Sequence, residues 1–219
     1  MRRTIGSTSM MCGIVRISPF FLFGGLLLLL GTLAAPENAS SRGDDVTGAW
    51  TVEQVVASLK EERELAVPFE EATHSSLLSA PLIVRGILRF TPPSRLEKEV
   101  LEPYHERYVV EGDLVTVESE RKRIKKSISL GDYPGLRGFV EAFRAGFTGD
   151  AVQLKQVYET ALDGNLEQWT LRLRPRDPAG RSMVEDIVLS GSEGRISSIV
   201  IHAADGDRSV MTLRRGAAK

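Results

Sequence analysis

The chain has 219 residues, of which 42% are hydrophobic and 26% are charged, and its formal net charge is −1. This length and hydrophobicity are typical of one folded domain with its own core, and they exclude a disordered chain. A single cysteine excludes a disulfide-rich scaffold, and the near-neutral charge argues against a nucleic-acid-binding protein. A polytopic membrane protein is excluded as well, because the sequence has one stretch that is apolar and long enough to span a bilayer.

That stretch lies near the N-terminus. Residues 17–36 carry no charge, three arginines precede them, and small residues end the run. This is the layout of a secretory signal, so we predict a signal peptide over residues 1–34 that is cleaved after Ala34. An uncleaved membrane anchor is the alternative, because the uncharged run is just long enough to cross a bilayer. In both cases the rest of the chain is exported, and it contains no cysteine that could form a disulfide.

The exported part is predicted to be a linker followed by one domain. Residues 35–48 are rich in Ser, Gly and Asp and form the linker, and residues 49–219 form the domain. The first element of the domain is predicted as a helix that begins at Trp50 or Thr51 and ends near Leu59. Thr51 is the expected N-cap, in a capping box closed three residues later.

Most of the domain shows the period-two alternation of β-strands. Apolar side chains alternate with polar ones from Leu82 to Phe90, and a turn at residues 91–94 ends this run because proline cannot donate to a strand ladder. Gly-containing turns at residues 111–113 and 205–207 are hairpin signals. The other predicted strands are residues 65–69, Arg95–Leu101, Glu106–Val110, Leu114–Glu118, Arg123–Leu130, Gln156–Leu162, Gln168–Leu173, Val184–Leu189, Arg195–Ile201 and Ser209–Leu213. Short strands at this regular spacing predict a curved antiparallel sheet or a barrel.

The clearest helix is predicted at residues 134–147, where apolar side chains with helical spacing form one stripe. The stripe comprises Leu136, Phe139, Val140, Phe143 and Phe147. A second, short helix is predicted from Asp150 to about Gln156. These helices are too few for alternating βαβ units, so we interpret residues 134–147 as a lid helix over the apolar face of the sheet.

A part-open barrel under such a lid would hold a pocket lined by aliphatic and aromatic side chains, which suits acyl chains. The residues predicted to line this lipid-binding cavity are Leu82, Val84, Leu88, Phe90, Ile128, Leu130, Trp169, Leu171 and Leu173. The alternative interpretation is that these residues are ordinary packed core, which is the common role of apolar stripes.

Three segments together resemble the LolA family of periplasmic lipoprotein carriers, in a divergent branch. They are Gly-Ile-Leu-Arg-Phe-Thr-Pro-Pro-Ser-Arg-Leu at residues 86–96, Val-Val-Glu-Gly-Asp at 109–113 and Asp-Gly-Asp-Arg-Ser at 205–209. The residues that match the family motif are Pro93, Arg95, Gly112, Asp207, Arg208 and Ser209. The best-known members carry an arginine immediately before the conserved proline, as a latch for the lid, and the matching residue here is Pro92.

The resemblance implies a mainly β (α+β) fold, an incomplete antiparallel β-barrel of about ten to eleven strands with a few helices covering its open face. It implies a periplasmic carrier, not an enzyme, that binds the acyl chains of a lipoprotein or lipid and ferries them from the inner to the outer membrane. The implied partners are an inner-membrane transporter as donor and an outer-membrane acceptor, for a monomer that uses no cofactor, metal or nucleic acid. The alternative function is a non-catalytic periplasmic adaptor, whose filled barrel docks a lipid exporter or another envelope partner.

Two other groupings of residues carry competing interpretations. His202, Asp205, Asp207 and Ser209 lie close in sequence and could indicate a hydrolase or a metal site, although Asp-Gly-Asp is first a hairpin signal. The basic run at residues 121–126 is interpreted as a solvated edge strand protected by lysines, or as a docking patch for anionic headgroups or an acidic partner.

Overall fold

The computed structural model describes residues 50–214, so the predicted signal peptide and linker lie outside the described residues. Within this range the chain forms an 11-stranded antiparallel sheet whose strand order is β6-β5-β4-β3-β2-β1-β11-β10-β9-β8-β7. The strands are β1 Leu65–His74, β2 Leu82–Thr91, β3 Arg95–Glu102, β4 Glu106–Glu111, β5 Leu114–Ser119, β6 Ile124–Ser129, β7 Tyr158–Gly164, β8 Trp169–Pro175, β9 Val184–Ser192, β10 Arg195–Ala203 and β11 Arg208–Leu213. The helices are α1 Val52–Ser58, α2 Pro134–Thr148, α3 Ala151–Val157 and α4 Pro178–Arg181, with a 3-10 turn at Leu130–Asp132.

The connections between strands explain where the helices lie. Successive strands form hairpins on both sides of the sheet, and β1 pairs with β11, so that Phe69 lies opposite Leu213. The segment from residue 130 to 157 joins β6 to β7, which are the two edges of the sheet. It contains α2 and α3, whose apolar side chains pack into the same core as the strands. The predicted mainly β fold, an incomplete barrel with helices on its open side, is therefore confirmed.

The first helix begins as its sequence predicts. The Thr51 side chain accepts a hydrogen bond from the backbone N–H of Gln54, and the Gln54 side chain accepts one from the Thr51 N–H. This reciprocal capping box satisfies two of the backbone donors that a helix start leaves without partners. Val55 and Val56 are fully buried on the face that meets the core.

The lid helix is α2, one residue longer than its sequence predicts. Pro134 starts it, and Gly149 ends it in the left-handed conformation with φ of 77°. Four residues of the predicted stripe are buried and Phe143 is half-buried. The ring of Phe147 stacks on that of Phe90 in β2, with centroids 4.7 Å apart.

Helix α4 is absent from the sequence-based prediction. It has four residues, of which Pro178 is the first, and the Asp177 side chain accepts from the N–H of Gly180. Four residues are too few to show helical periodicity, so the proline and the capping aspartate were its signals. Among residues 50–214, no helix has the length and hydropathy needed to cross a membrane.

Gly86 marks a close approach of two strands. It lies on the inner face of β2, and a Cβ atom at this position would lie 1.9 Å from the carbonyl oxygen of Glu99 in β3. We expect Gly86→Ala to lower the free energy of unfolding by about 3 kcal/mol, because β3 must move to make room. Urea unfolding followed by circular dichroism measures this effect.

Gly146→Ala in α2 is the matched control. A Cβ atom there has nothing within 4 Å. Alanine in a helix interior is favoured over glycine, so the control should gain about 0.5–1 kcal/mol. Equal effects of the two substitutions would contradict the assigned contact between β2 and β3.

Candidate functional site

Three clefts lie between the lid helix α2 and the inner face of the sheet. Each is lined mainly by apolar side chains, and their empty volumes are about 360, 450 and 400 Å³, including space open to solvent. The first is lined by Leu59, Ala142, Phe143, Gly146, Phe147, Leu173, Ile187, Leu189 and Ile196. The second opens toward Glu61 and Arg195, and the third reaches Lys98 and Tyr108.

Two aromatic side chains of α2 divide this space. Phe143 lines the first and third clefts, and Phe147 lines the first and second. Leu88 of β2 separates the second cleft from the third. Withdrawal of the two rings would therefore join the three clefts into one apolar groove under the lid helix.

The residues predicted to line the cavity divide into two groups. Leu88, Phe90 and Leu173 line the clefts. The other six pack in the surrounding core. Leu82 is half-buried, and the five buried residues are Val84, Ile128, Leu130, Trp169 and Leu171. Of the lid residues, Leu136 belongs to the core, whereas Phe139, Val140, Phe143 and Phe147 line clefts.

Three residues of the family motif lie in turns and three lie in strands. Pro93 is in the turn between β2 and β3, and Gly112, with φ of 56°, is in the turn between β4 and β5. Arg95 donates to Glu111 at 2.8 Å on the outer face, so it does not reach the lid helix. Asp207 lies in the turn before β11, Arg208 is the first residue of that strand, and Ser209 faces inward and is buried.

An arginine of the lid helix holds it to the two turns that carry the motif. Arg144 donates to the carbonyl oxygen of Gly112, to that of Ser94 at 3.4 Å and to Glu141 at 2.9 Å. Its side chain is 13% exposed. Arg144 therefore connects the lid helix to the turn between β2 and β3 and to the turn between β4 and β5. The sequence showed Arg144 only as a charged residue beside the apolar stripe.

Loss of this contact should loosen the lid helix. We expect Arg144→Ala to speed hydrogen exchange of the amides in residues 134–148 by about 10- to 100-fold, because a charged donor contributes about 1.5–3 kcal/mol. Hydrogen exchange with mass spectrometry measures it. Arg137→Ala is the control on the same helix, since its ion pair with Asp113 is about half exposed and should change exchange by less than about tenfold. Similar exchange in both variants would show that the contacts of Arg144 do not hold the lid helix in place.

A group of charged and hydroxyl side chains lies inside the barrel, and we call it the polar layer: Glu71, Lys98, Glu106, Ser119 and Ser209. The Glu71 carboxylate accepts from the Lys98 ammonium and from the Ser209 hydroxyl. Glu106 accepts from Tyr108 at 2.6 Å and from Ser119 at 2.9 Å. Lys122 approaches Glu106 to 3.5 Å from the solvent side.

Burial governs the electrostatics of this layer. Desolvation lowers the pKa of Lys98, while attraction to Glu71 acts in the opposite direction. Desolvation also raises the pKa of the Tyr108 hydroxyl, and its hydrogen bond to Glu106 adds to the rise. The sequence carried a signal for this layer: Glu71 is in phase with Val67 and Phe69, and Lys98 with Leu96.

The outer face of β3 carries a different network, centred on Glu97. Arg107 donates to Glu97 at 3.0 and 2.9 Å, and Arg89 and Arg95 also contact it. The hydrogen bonds from Arg107 are the main reason that the pKa of Glu97 lies below its ordinary value of 4.5. The charged residues at the start of β3 therefore belong to two different networks. Lys98 faces the barrel interior and Glu97 faces outward.

The lowered pKa predicts an acid-sensitive contribution to stability. Glu97 stabilises the fold fully above its unfolded value of 4.5, and this contribution is lost as the pH falls through its lower folded value. We expect Glu97→Gln to lower the free energy of unfolding by about 1.5–3 kcal/mol at neutral pH. The difference from the parent should shrink in acid, as measured by urea unfolding across pH. A difference that is constant with pH would contradict this role.

The residues considered for hydrolysis do not form one site. The Ser209 hydroxyl is buried and donates to Glu71 on the inner face, whereas His202 contacts Asp186 at 2.6 Å on the outer face. Asp205 accepts from the backbone N–H of Asp207 within the turn. Among residues 50–214, no group of three or more His, Cys, Asp or Glu side chains is arranged to hold a metal ion.

The basic run at residues 121–126 leads into β6, which is an edge strand of the sheet. Part of its charge is engaged: Lys125 pairs with Glu118 at 2.8 Å, and Arg121 lies over the Tyr104 ring at 5.1 Å. This arrangement is that of a solvated edge strand, and the docking patch stays a prediction.

The chain matches, over residues 45–219, the family model described as outer membrane lipoprotein carrier protein LolA-like. It is similar in structure to a LolA superfamily protein from Nitrosomonas europaea, with 13% identity, 76% of this chain and 93% of that chain covered, and a TM-score of 0.43. A putative outer membrane lipoprotein-sorting protein domain from Vibrio parahaemolyticus gives 10% identity, 76% and 92% coverage, and a TM-score of 0.43. LprF from Mycobacterium bovis gives 14% identity, 76% and 93% coverage, and a TM-score of 0.32. No curated protein matches the sequence.

Proposed function

This chain belongs to the LolA-like family of outer membrane lipoprotein carrier proteins, and from that premise we propose that it is a periplasmic carrier of acyl chains. In this proposal residues 49–219 bind the acyl chains of a lipoprotein or lipid under the lid helix. The protein receives them from an inner-membrane transporter and delivers them to an outer-membrane acceptor. It works by binding and release, without catalysis or a cofactor.

The observation that carries the proposal is the set of apolar clefts under the lid helix. Phe143 and Phe147 fill the space between them, and Phe143 stays half-buried rather than fully packed. An acyl chain that replaced these rings would find apolar side chains on both sides, from the sheet and from α2. Each methylene taken out of water contributes about 0.8 kcal/mol.

The lid helix has contacts that could break without unfolding the sheet. Arg144 holds α2 through carbonyl oxygens of two turns, and Arg137 holds it through Asp113 in one of them. These polar contacts lie at the rim, outside the apolar clefts. An opening that breaks them exposes the clefts while all strand pairings remain.

Native purification tests the proposal. The full chain is expressed with its N-terminal segment, isolated from the periplasm without detergent and extracted for lipid mass spectrometry. We expect bound lipids or lipopeptides in near-stoichiometric amount, and uptake of a fluorescent fatty acid after delipidation. Lipid-free protein that takes up no fatty acid would refute the carrier proposal.

The second candidate is the non-catalytic adaptor, and the filled interior favours it. Phe90, Phe147 and Trp169 are buried in the core, and the rings of Phe90 and Phe147 stack on each other. An adaptor needs no opening of the lid helix. The fatty acid uptake experiment separates the two functions, because an adaptor with a filled barrel takes up none.

A further inference from the structure

We propose that the polar layer is the floor of the acyl site and sets the length of acyl chain that the protein accepts. This inference rests on the proposed carrier function and adds a selectivity to it. Chains should enter at the end of the barrel where the Pro93 and Gly112 turns lie. They should stop where Lys98 and Tyr108 meet the third cleft.

The strand register orders the inward-facing residues of β2 to β5 in rows at increasing distance from those two turns. The row nearest those two turns is apolar and consists of Phe90, Leu96, Val110 and Val115. The next row contains Leu88, Lys98, Tyr108 and Val117. The row after it contains Gly86, Val100, Glu106 and Ser119.

The inward-facing residues of β1 and β11 also change from apolar to polar with distance from the two turns. On β1, Val67 and Phe69 are followed inward by Glu71, which lies opposite Met211 of β11. Ser209 lies one inward position beyond Met211. Polar residues therefore appear among the inward-facing side chains of β1, β3, β4, β5 and β11 with increasing distance from the two turns, whereas β8, β9 and β10 stay apolar on the rows of Met211 and Ser209. The polar layer bounds the barrel interior at the third cleft, which Lys98 lines.

The polar layer resists an entering methylene. Glu71 and Lys98 are 0% and 5% exposed and are bonded to each other, so a chain that separated them would break the ion pair between two buried charges. That cost exceeds what the burial of one methylene gains. A buried ion pair is also a weak source of stability compared with an apolar pair of the same size. A limit on acyl-chain length would give the buried ion pair of Glu71 and Lys98 a function.

Recognition of an anionic headgroup by Lys98 is the competing assignment. The Lys98 ammonium already contacts Glu71, and Glu106 attracts it as well. An incoming carboxylate or phosphate would have to displace a buried carboxylate and then lie beside it. The contacts therefore favour a floor for the acyl tail over a receptor for the head.

A chain-length series tests the floor. Delipidated protein is titrated with decanoic, lauric, myristic, palmitic and stearic acids, and with their methyl esters. In the parent, affinity should rise about fourfold for each added methylene and then level off at one length. In the variant Glu71→Leu/Lys98→Met/Ser209→Ala, the rise should continue for at least about two more methylenes, which is roughly a 15-fold gain for the longest acid.

The controls separate the possible failures. Arg85→Met/Glu70→Gln makes a similar charge change on the exposed face of β1 and β2, and it should leave the length dependence unchanged. If the triple variant does not fold, the double variant Glu71→Gln/Lys98→Met is used in its place, because the glutamine side chain at position 71 still offers Ser209 a hydrogen-bond acceptor. If a folded variant shows the same dependence of affinity on chain length as the parent, the floor proposal is overturned. It is also overturned if the variant loses affinity equally at all chain lengths and the methyl esters bind weakly, because Lys98 would then recognise the headgroup. Absence of binding in the parent at every length instead overturns the carrier function.

Discussion

Phe143→Asp is expected to reduce the affinity for a fluorescent fatty acid by at least about 100-fold and to abolish co-purification of lipid. The new carboxylate would stand between the first and third clefts, where an acyl chain would have to lie against it. A charge without a partner is expensive in apolar surroundings. Titration of delipidated protein with cis-parinaric acid measures the loss. Phe139→Asp should behave alike, because Phe139 lines the third cleft.

Two further variants make this result specific. Val152→Asp introduces the same carboxylate in α3 at a side chain that is 69% exposed, and it should bind the fatty acid like the parent. Phe143→Leu keeps the apolar lining and should retain affinity within about tenfold. Thermal unfolding shows that each variant is folded. Unimpaired binding by folded Phe143→Asp would mean that the acyl chain does not lie under α2.

Lys98→Met is expected to lower the free energy of unfolding by about 3–5 kcal/mol. The substitution leaves the Glu71 carboxylate, which is fully buried, with Ser209 as its remaining donor. The combined variant Glu71→Leu/Lys98→Met/Ser209→Ala removes all three polar groups and should return to within about 1–2 kcal/mol of the parent. Urea unfolding followed by tryptophan fluorescence gives these values.

The exposed ion pair on the neighbouring strands is the matched control. Arg85 contacts Glu70 at 2.8 Å with more than half of its side chain exposed, so Arg85→Met should cost less than about 1 kcal/mol. A Lys98→Met effect as small as that of the control would show that solvent reaches the polar layer. A combined variant less stable than Lys98→Met would show that the charges are a net source of stability.

Local patterns allowed most elements to be predicted. The capping box at Thr51, the alternation from Leu82 to Phe90 and the apolar stripe of α2 each depend on residues close in sequence. For that reason the strands and the lid helix lie within five residues of their predicted bounds, and the largest difference is at the end of β1. The same patterns could not separate the three predicted residues that line clefts from the six that pack in the core.

Contacts between distant residues account for what was missed. Glu71 and Lys98 are 27 positions apart, and Arg144 and Gly112 are 32 apart. Glu71, Lys98 and Arg144 each look like an ordinary surface charge in their own segments. The inward phase of Glu71 and Lys98 was visible in the alternation, but their charge argued for the solvent face.

The sequence by itself determined that this chain is an antiparallel sheet with an aromatic lid helix, because alternation, turn residues and helical spacing act over short distances. It also carried the motifs of its family. The tertiary structure decided that Arg144 fastens the lid helix, that Phe143 and Phe147 divide the apolar space, and that a charged layer lies beneath it. These features depend on strand register and on the packing of α2 across the open side, which bring together side chains far apart in the sequence.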